Sequence, residues 1–260
     1  MITFLKAEEQ HQHKNGGGWV ANTATVEESA YLGASAQVYG NAWVFGNARV
    51  SGNAQVFGDA RVSGSAQVFG NAWVFGNAWV FDNAQVYGNA QVFGNAQVYG
   101  NALLSGNARV FGDALVFGSA QVYGNALLSG DALVFGDALV SGNAQVSGNA
   151  HVYGDALVFG DALLSGNARV FGDALVYGDA QVYGNARVSG NAWERSPLYI
   201  QGTRHALTNC ARGKIAIGGF VHSFSEWKKK YKQIGKKYGY TSAQIKEYGS
   251  HIAYAIKVGK

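Results

Sequence analysis

Arg204 and His205 are adjacent, and Thr208, Asn209 and Cys210 follow closely. With His222 they form the densest group of polar and reactive side chains in the chain. A histidine near a hydroxyl or a thiol is the raw material of general-base and nucleophilic catalysis. The spacing here fixes neither a triad nor a metal set, and no cofactor is expected. Two readings stay open: these residues satisfy backbone groups at the end of a structural unit, or Arg204, His205, Asn209, His222 and Trp227 form a binding site. Elsewhere Asp137, Asp155 and Asp173 recur at equal intervals. Carboxylates held close repel unless water, a proton or a cation intervenes, and calcium is the cation such oxygens suit. Solvated carboxylates and a cation site are the alternatives. The run Lys228-Lys229-Lys230-Tyr231-Lys232 suits phosphates, as in a nucleic acid, or is a solvated helix face.

What would position these groups is a repeat. Val or Leu stands at every sixth residue from Val20 to Val188, twenty-nine positions without a slip. The unit reads Ala-x-Val-aromatic/Ser-Gly-Asn/Asp, as in Ala42-Trp43-Val44-Phe45-Gly46-Asn47. Residues two apart point to one side of a strand, so Ala and Val share a face. Gly followed by Asn or Asp tolerates the dihedrals of a tight corner. A strand this short buries nothing alone. Three can enclose their apolar faces in a triangular coil of 18 residues, stacked on the next coil. Nearly ten coils make a rod about 45 Å long. Its interior would hold only Ala, Val and Leu, with no ligand cavity.

Stacking at 18 residues places Asp137, Asp155 and Asp173 on one corner, Asp113 on Asp131, and Asp161 on Asp179. It also aligns Tyr39, Phe57, Phe75, Phe93 and Phe111 in one outward column. Phe81, Tyr99, Phe117, Phe135, Tyr153 and Phe171 form a second. Such columns either stiffen the rod as ladders or form an apolar strip that identical subunits bury.

The pattern resembles the hexapeptide-repeat left-handed parallel β-helix over residues 18–194. The resemblance implies the left hand and, by analogy, a homotrimer. Acyltransferases of that fold use a histidine general base at a subunit boundary, often beside a loop that leaves the coil. Here His151 is the only histidine within the array, it is outward-facing, and no loop interrupts the period. The flanks, Gly16-Gly17-Gly18-Trp19-Val20 and Tyr199-Ile200-Gln201-Gly202-Thr203-Arg204-His205-Ala206-Leu207-Thr208-Asn209, look like hexapeptide-repeat proteins of bacteriophages and prophages, often labelled transferases. That resemblance implies a phage setting.

The expected fold is thus an all-β solenoid with an N-terminal cap at 1–17, the rod at 18–194, and a small α+β module at 195–260. Glu194 takes the next aliphatic slot, so the rod should end there. Leu198-Tyr199-Ile200 and Ile215-Ala216-Ile217 read as strands of a lid. Ser223-Phe224-Ser225-Glu226 and Thr241-Ser242-Ala243-Gln244 read as capping boxes of two amphipathic helices, with Gly235 ending the first. One cysteine excludes a disulfide framework, and no apolar run suits a signal peptide or a membrane span. A chain made in the cytoplasm of the host cell, or carried on the virion, without membrane insertion, is expected. Lysine is absent between Lys14 and Lys214, so the formal net charge of +4 belongs to the tail. The expected function is a structural or adhesive rod that self-associates and meets a host or virion protein. The rivals are an acyltransferase using His151 or His205, and a module binding nucleotide, nucleic acid or host protein.

Overall fold

The structure, a computed structural model, describes residues 9–189, 192–193 and 197–258. Lys6, Glu8, Glu194 and Lys260 lie outside the described residues. Three parallel sheets run along the rod. The first climbs from Trp19–Ala21 to Gln181–Val182, the second from Thr25–Val26 to Arg187–Ser189, and the third from Tyr31–Leu32 to Ala192–Trp193. Most of their strands are two residues long, too short to survive except by stacking. The register is eighteen residues, as in Val74↔Val92, and the backbone pairs at full length, with Trp73 N–H to Ala90 O at 2.9 Å. Each Ala and Val of the repeat from Ala30 to Val188 is buried, with Leu32, Leu104, Leu128 and Leu164 in the same core. This is a parallel β-solenoid of about ten coils, as the period requires.

Corners decide how closely coils approach. Gly94 has φ +70°, and a Cβ there would meet the Gly112 nitrogen at 3.0 Å. Both the left-handed backbone and the backbone above therefore demand glycine. Asp82 is the exception, the one non-glycine residue of positive φ (58°) among the described residues.

The rod's end differs from the expected one. Val170 pairs with Val188, still eighteen apart, but Val176 pairs with Trp193, which is seventeen. The backbone spacing is thus one residue shorter at the last pairing, and residue 193 rather than Glu194 is the partner of Val176. The sequence keeps its phase through Gly190-Asn191-Ala192, so the period alone does not show this change of spacing.

Both ends are covered. Gln10–Gln12 pairs antiparallel with Trp19–Ala21, and buried His13 places Nε2 3.0 Å from Ala30 O. At the other end Tyr199–Gln201, Ala206–Ala211, Lys214–Ile217 and Phe220–Ser223 form an antiparallel sheet. Tyr199 leans on the last coil, its ring 5.3 Å from that of Tyr183. Helices α1 (Phe224–Lys237) and α2 (Ser242–Val258) cover the sheet through Trp227, Tyr248, Ile252 and Ala255, packed on Leu207, Ile215 and Ile217.

Both capping boxes form. Glu226 N–H donates to Ser223 Oγ at 3.2 Å and Ser223 N–H to Glu226 Oε2 at 3.0 Å. Gln244 N–H and Thr241 N–H make the same exchange with Thr241 Oγ1 and Gln244 Oε1. Gly235 does not end α1. It lies inside the helix, where a Cβ would stand 2.7 Å from Ile245 Cγ1, so it lets α2 approach. The stop is Gly239, at φ +70°.

Candidate functional site

The C-terminal module holds a partly open cavity of about 140 Å³ between its sheet and both helices. Ile217, Trp227, Tyr248 and Ile252, all buried, are apolar or aromatic walls. Exposed Phe220 and Tyr238 stand at the rim, their rings 4.7 Å apart. Arg204 and His205, both exposed, stand there with Tyr240. The two helices approach closely where Gly235 faces Ile245 and Gly249 faces Tyr231.

Hydrogen bonds fix the Arg204 segment. The Tyr248 hydroxyl accepts from the N–H groups of Arg204 (3.0 Å) and His205 (2.5 Å), and donates to His205 O at 2.7 Å. Thr203 is held by Glu247, N–H to Oε1 at 2.8 Å and hydroxyl to Oε2 at 2.6 Å. Those bonds, the hydroxyl's first, hold the Glu247 carboxyl below its usual range. Arg204 Nη1 donates to the carbonyls just past the end of α1, Tyr238 O at 3.0 Å and Gly239 O at 3.1 Å. Its guanidinium lies 4.7 Å from the Tyr240 ring centre. This cation is therefore placed by the helix terminus and by an aromatic face.

The structure brings together Arg204, His205 and Trp227 of the sequence candidates, and not the other two. His222 packs edge-on against Trp227 at 5.0 Å, and the Trp227 indole N–H donates to Ile215 O at 2.8 Å. Asn209 is buried in the sheet, its N–H on Leu198 O at 3.2 Å and its Oδ1 without a partner among the described residues. Cys210 is buried, and desolvation pushes its thiol up, away from the thiolate a nucleophile needs. Among the described residues no hydrogen bond joins a side chain of His205 or His222 to Thr208 or Cys210. Tyr238, Tyr240 and Phe220 went unread, because they join the site only through the sheet and the helix crossing. The cluster of tyrosines between Tyr231 and Tyr254 was the available signal.

On the rod the Asp137, Asp155 and Asp173 column is exposed, one carboxylate per coil. Among the described residues no group of three or more His, Cys, Asp or Glu is arranged to hold a metal ion. A line of side chains along an axis does not by itself converge on a point, as the several oxygens around one calcium ion must. His151 lies between Leu133 and Arg169 in register, and burial, then Arg169, lowers its pKa.

Both aromatic columns form and stack on themselves. Phe57 and Phe75 lie 4.8 Å apart at 1°, and Phe117 and Phe135 4.9 Å apart at 2°. The first column follows strands of the first sheet and the second follows strands of the second, so they make no single strip. On the second sheet the Arg61 guanidinium lies 5.7 Å from the Trp43 ring and 5.5 Å from that of Trp79.

The chain matches the family described as YdcK beta solenoid repeat over residues 36–52, 54–68, 66–82, 84–100, 108–124, 144–160, 162–178 and 180–196. No curated protein matches it. No described helix is long and apolar enough to cross a membrane. Those matched segments cover half the chain and coincide with the stacked coils, and the chain belongs to the YdcK beta-solenoid repeat family.

Proposed function

We propose that the chain is a non-enzymatic structural or adhesive rod of a phage or prophage. It self-associates, with the trimer favoured, and places a recognition module at its C-terminal end. One observation carries this: coil follows coil without an intervening loop from Val20 to Val188, while a cavity with basic side chains at its rim lies in the module. A rod whose patches recur every coil defines no unique site, whereas the module breaks that degeneracy. The phage setting rests on the resemblance of the flanking sequences. Half-buried Phe and Tyr columns on two sheets support self-association, since covering such rings removes apolar surface from water.

Sedimentation of the full chain at micromolar concentration tests the assembly, and a monomer refutes it. Binding of the labelled chain to whole host cells tests recognition. The double variant Arg204→Ala/His205→Ala should lose that binding with its melting temperature within a few degrees. Retained binding would place recognition on the rod instead.

A further inference from the structure

The geometry points to the module's cavity as a binding site for a small ligand made of a single six-membered ring bearing one anionic group. This rests on the reading of the module as the recognition end, and it specifies the ligand chemistry. A void of about 140 Å³ accommodates one such ring and little more. Its walls are apolar or aromatic, with Ile217, Trp227 and Ile252 placed to contact a ring on several sides. The charge preference follows from the rim. The lining includes Arg204 and His205 and no carboxylate. Lys237 adds a further cation, its ammonium 5.6 Å from the ring centre of the rim residue Tyr238. Glu247, which binds neighbouring Thr203, has both oxygens engaged and does not line the cavity.

Arg204 is half used. Nη1 is taken by Tyr238 O and Gly239 O, while Nε and Nη2 bond nothing among the described residues. The guanidinium is thus held in place from one side and keeps donors for an incoming oxyanion, the arrangement a fixed anion clamp needs. Ring and anion act together: the ring supplies burial, and the anion selects the mouth at which the ring enters.

Benzoate is the probe, with acetate (anion without ring) and benzyl alcohol (ring without anion) as its two halves. The full chain is titrated by calorimetry and by NMR of the Trp227 indole N–H, assigned with Trp227→Phe. Benzoate is expected to bind with a Kd of about 1 mM or tighter and to move the Trp227 signal. Both half-probes should bind roughly tenfold or more weakly. Arg204→Gln should weaken benzoate by roughly tenfold and leave benzyl alcohol unchanged. Ile217→Phe fills the cavity and should abolish binding with the fold retained. Should that variant unfold, the Trp227 shift in the unaltered chain decides. Acetate equal to benzoate, an unmoved Trp227 signal, or full binding by a folded Ile217→Phe variant overturns the site. If the site fails while cell binding still depends on Arg204 and His205, the recognition reading stands without this ligand. If cell binding is independent of the module while benzoate binds, the reverse holds.

Discussion

The Asn143 amide donates to Asp161 Oδ1 at 2.9 Å, and with that bond a side-chain ladder ends. Above it Asn53, Asn71, Asn89, Asn107, Asn125 and Asn143 each donate to the residue one coil on, at 2.9–3.1 Å. Asparagine carries both a donor and an acceptor, so it can relay such a ladder. A carboxylate only accepts, so it can terminate one. Asn77→Asn95→Asp113 and Asn41→Asp59 follow the same rule.

Asn107→Asp should therefore cost more than the surface position suggests. It keeps the bond from Asn89 and loses the one to Asn125, while setting a carboxylate against the Asn125 oxygen. A loss of about 1 kcal/mol is expected. Denaturant melts of Asn107→Asp and Asp161→Asn measure it. An Asn107→Asp variant as stable as the parent would show that the ladder contributes nothing.

Asp82 occupies a corner, at φ 58°, where every other repeat unit from Gly40 to Gly184 places glycine. Asp82→Gly should stabilise the rod by roughly 0.5–1 kcal/mol, from relief of left-handed strain less the greater entropy of glycine in the unfolded chain. It also surrenders a long bond from Gly100 N–H to Oδ2, 3.3 Å. The opposite change at a glycine corner, Gly94→Asp, should destabilise, since its Cβ would press on Gly112. Equal effects of both changes would sink the argument.

Val98 is completely buried in the axial core. Val98→Asp leaves a charge with no partner in a space lined by Ala and Val, and the rod should not fold. Circular dichroism of the purified variant is sufficient. Unchanged melting would contradict the packing.

The bond pair between Thr203 and Glu247 gives the module a pH dependence of definite sign. The folded carboxyl titrates below its ordinary value of 4.5, chiefly because Thr203 donates to its charged form. Its stabilisation is complete above that value and disappears as the pH falls through the lowered one. Glu247→Gln should melt lower than the parent at about pH 6, and the gap should close toward about pH 3. His251 Nε2, 3.4 Å from Glu247 Oε1, faces the same carboxylate, so His251→Ala should narrow the gap at about pH 6 in parallel. A gap constant across the range would show that the bonds are immaterial.

The sequence by itself determined the rod. A period of six with Ala and Val two apart excludes a slip by one residue, which would turn every core residue outward. The coil length, the aromatic columns, the buried faces and both capping boxes followed from that spacing and from side-chain chemistry. Tertiary structure alone decided three things. Gly235 proved to be a helix crossing rather than a helix stop, since the closeness of Ile245 depends on a second helix. The seventeen-residue pairing of Val176 with Trp193 arose at the last coil, where the sequence still keeps the six-residue phase. And Arg204, Tyr238 and Tyr240 came to share one cavity rim across more than thirty residues of chain. A repeat writes its contacts at fixed sequence distances, so they can be read from the chain. A site assembled from a sheet and two helices has no such interval, and only their packing brings its residues together.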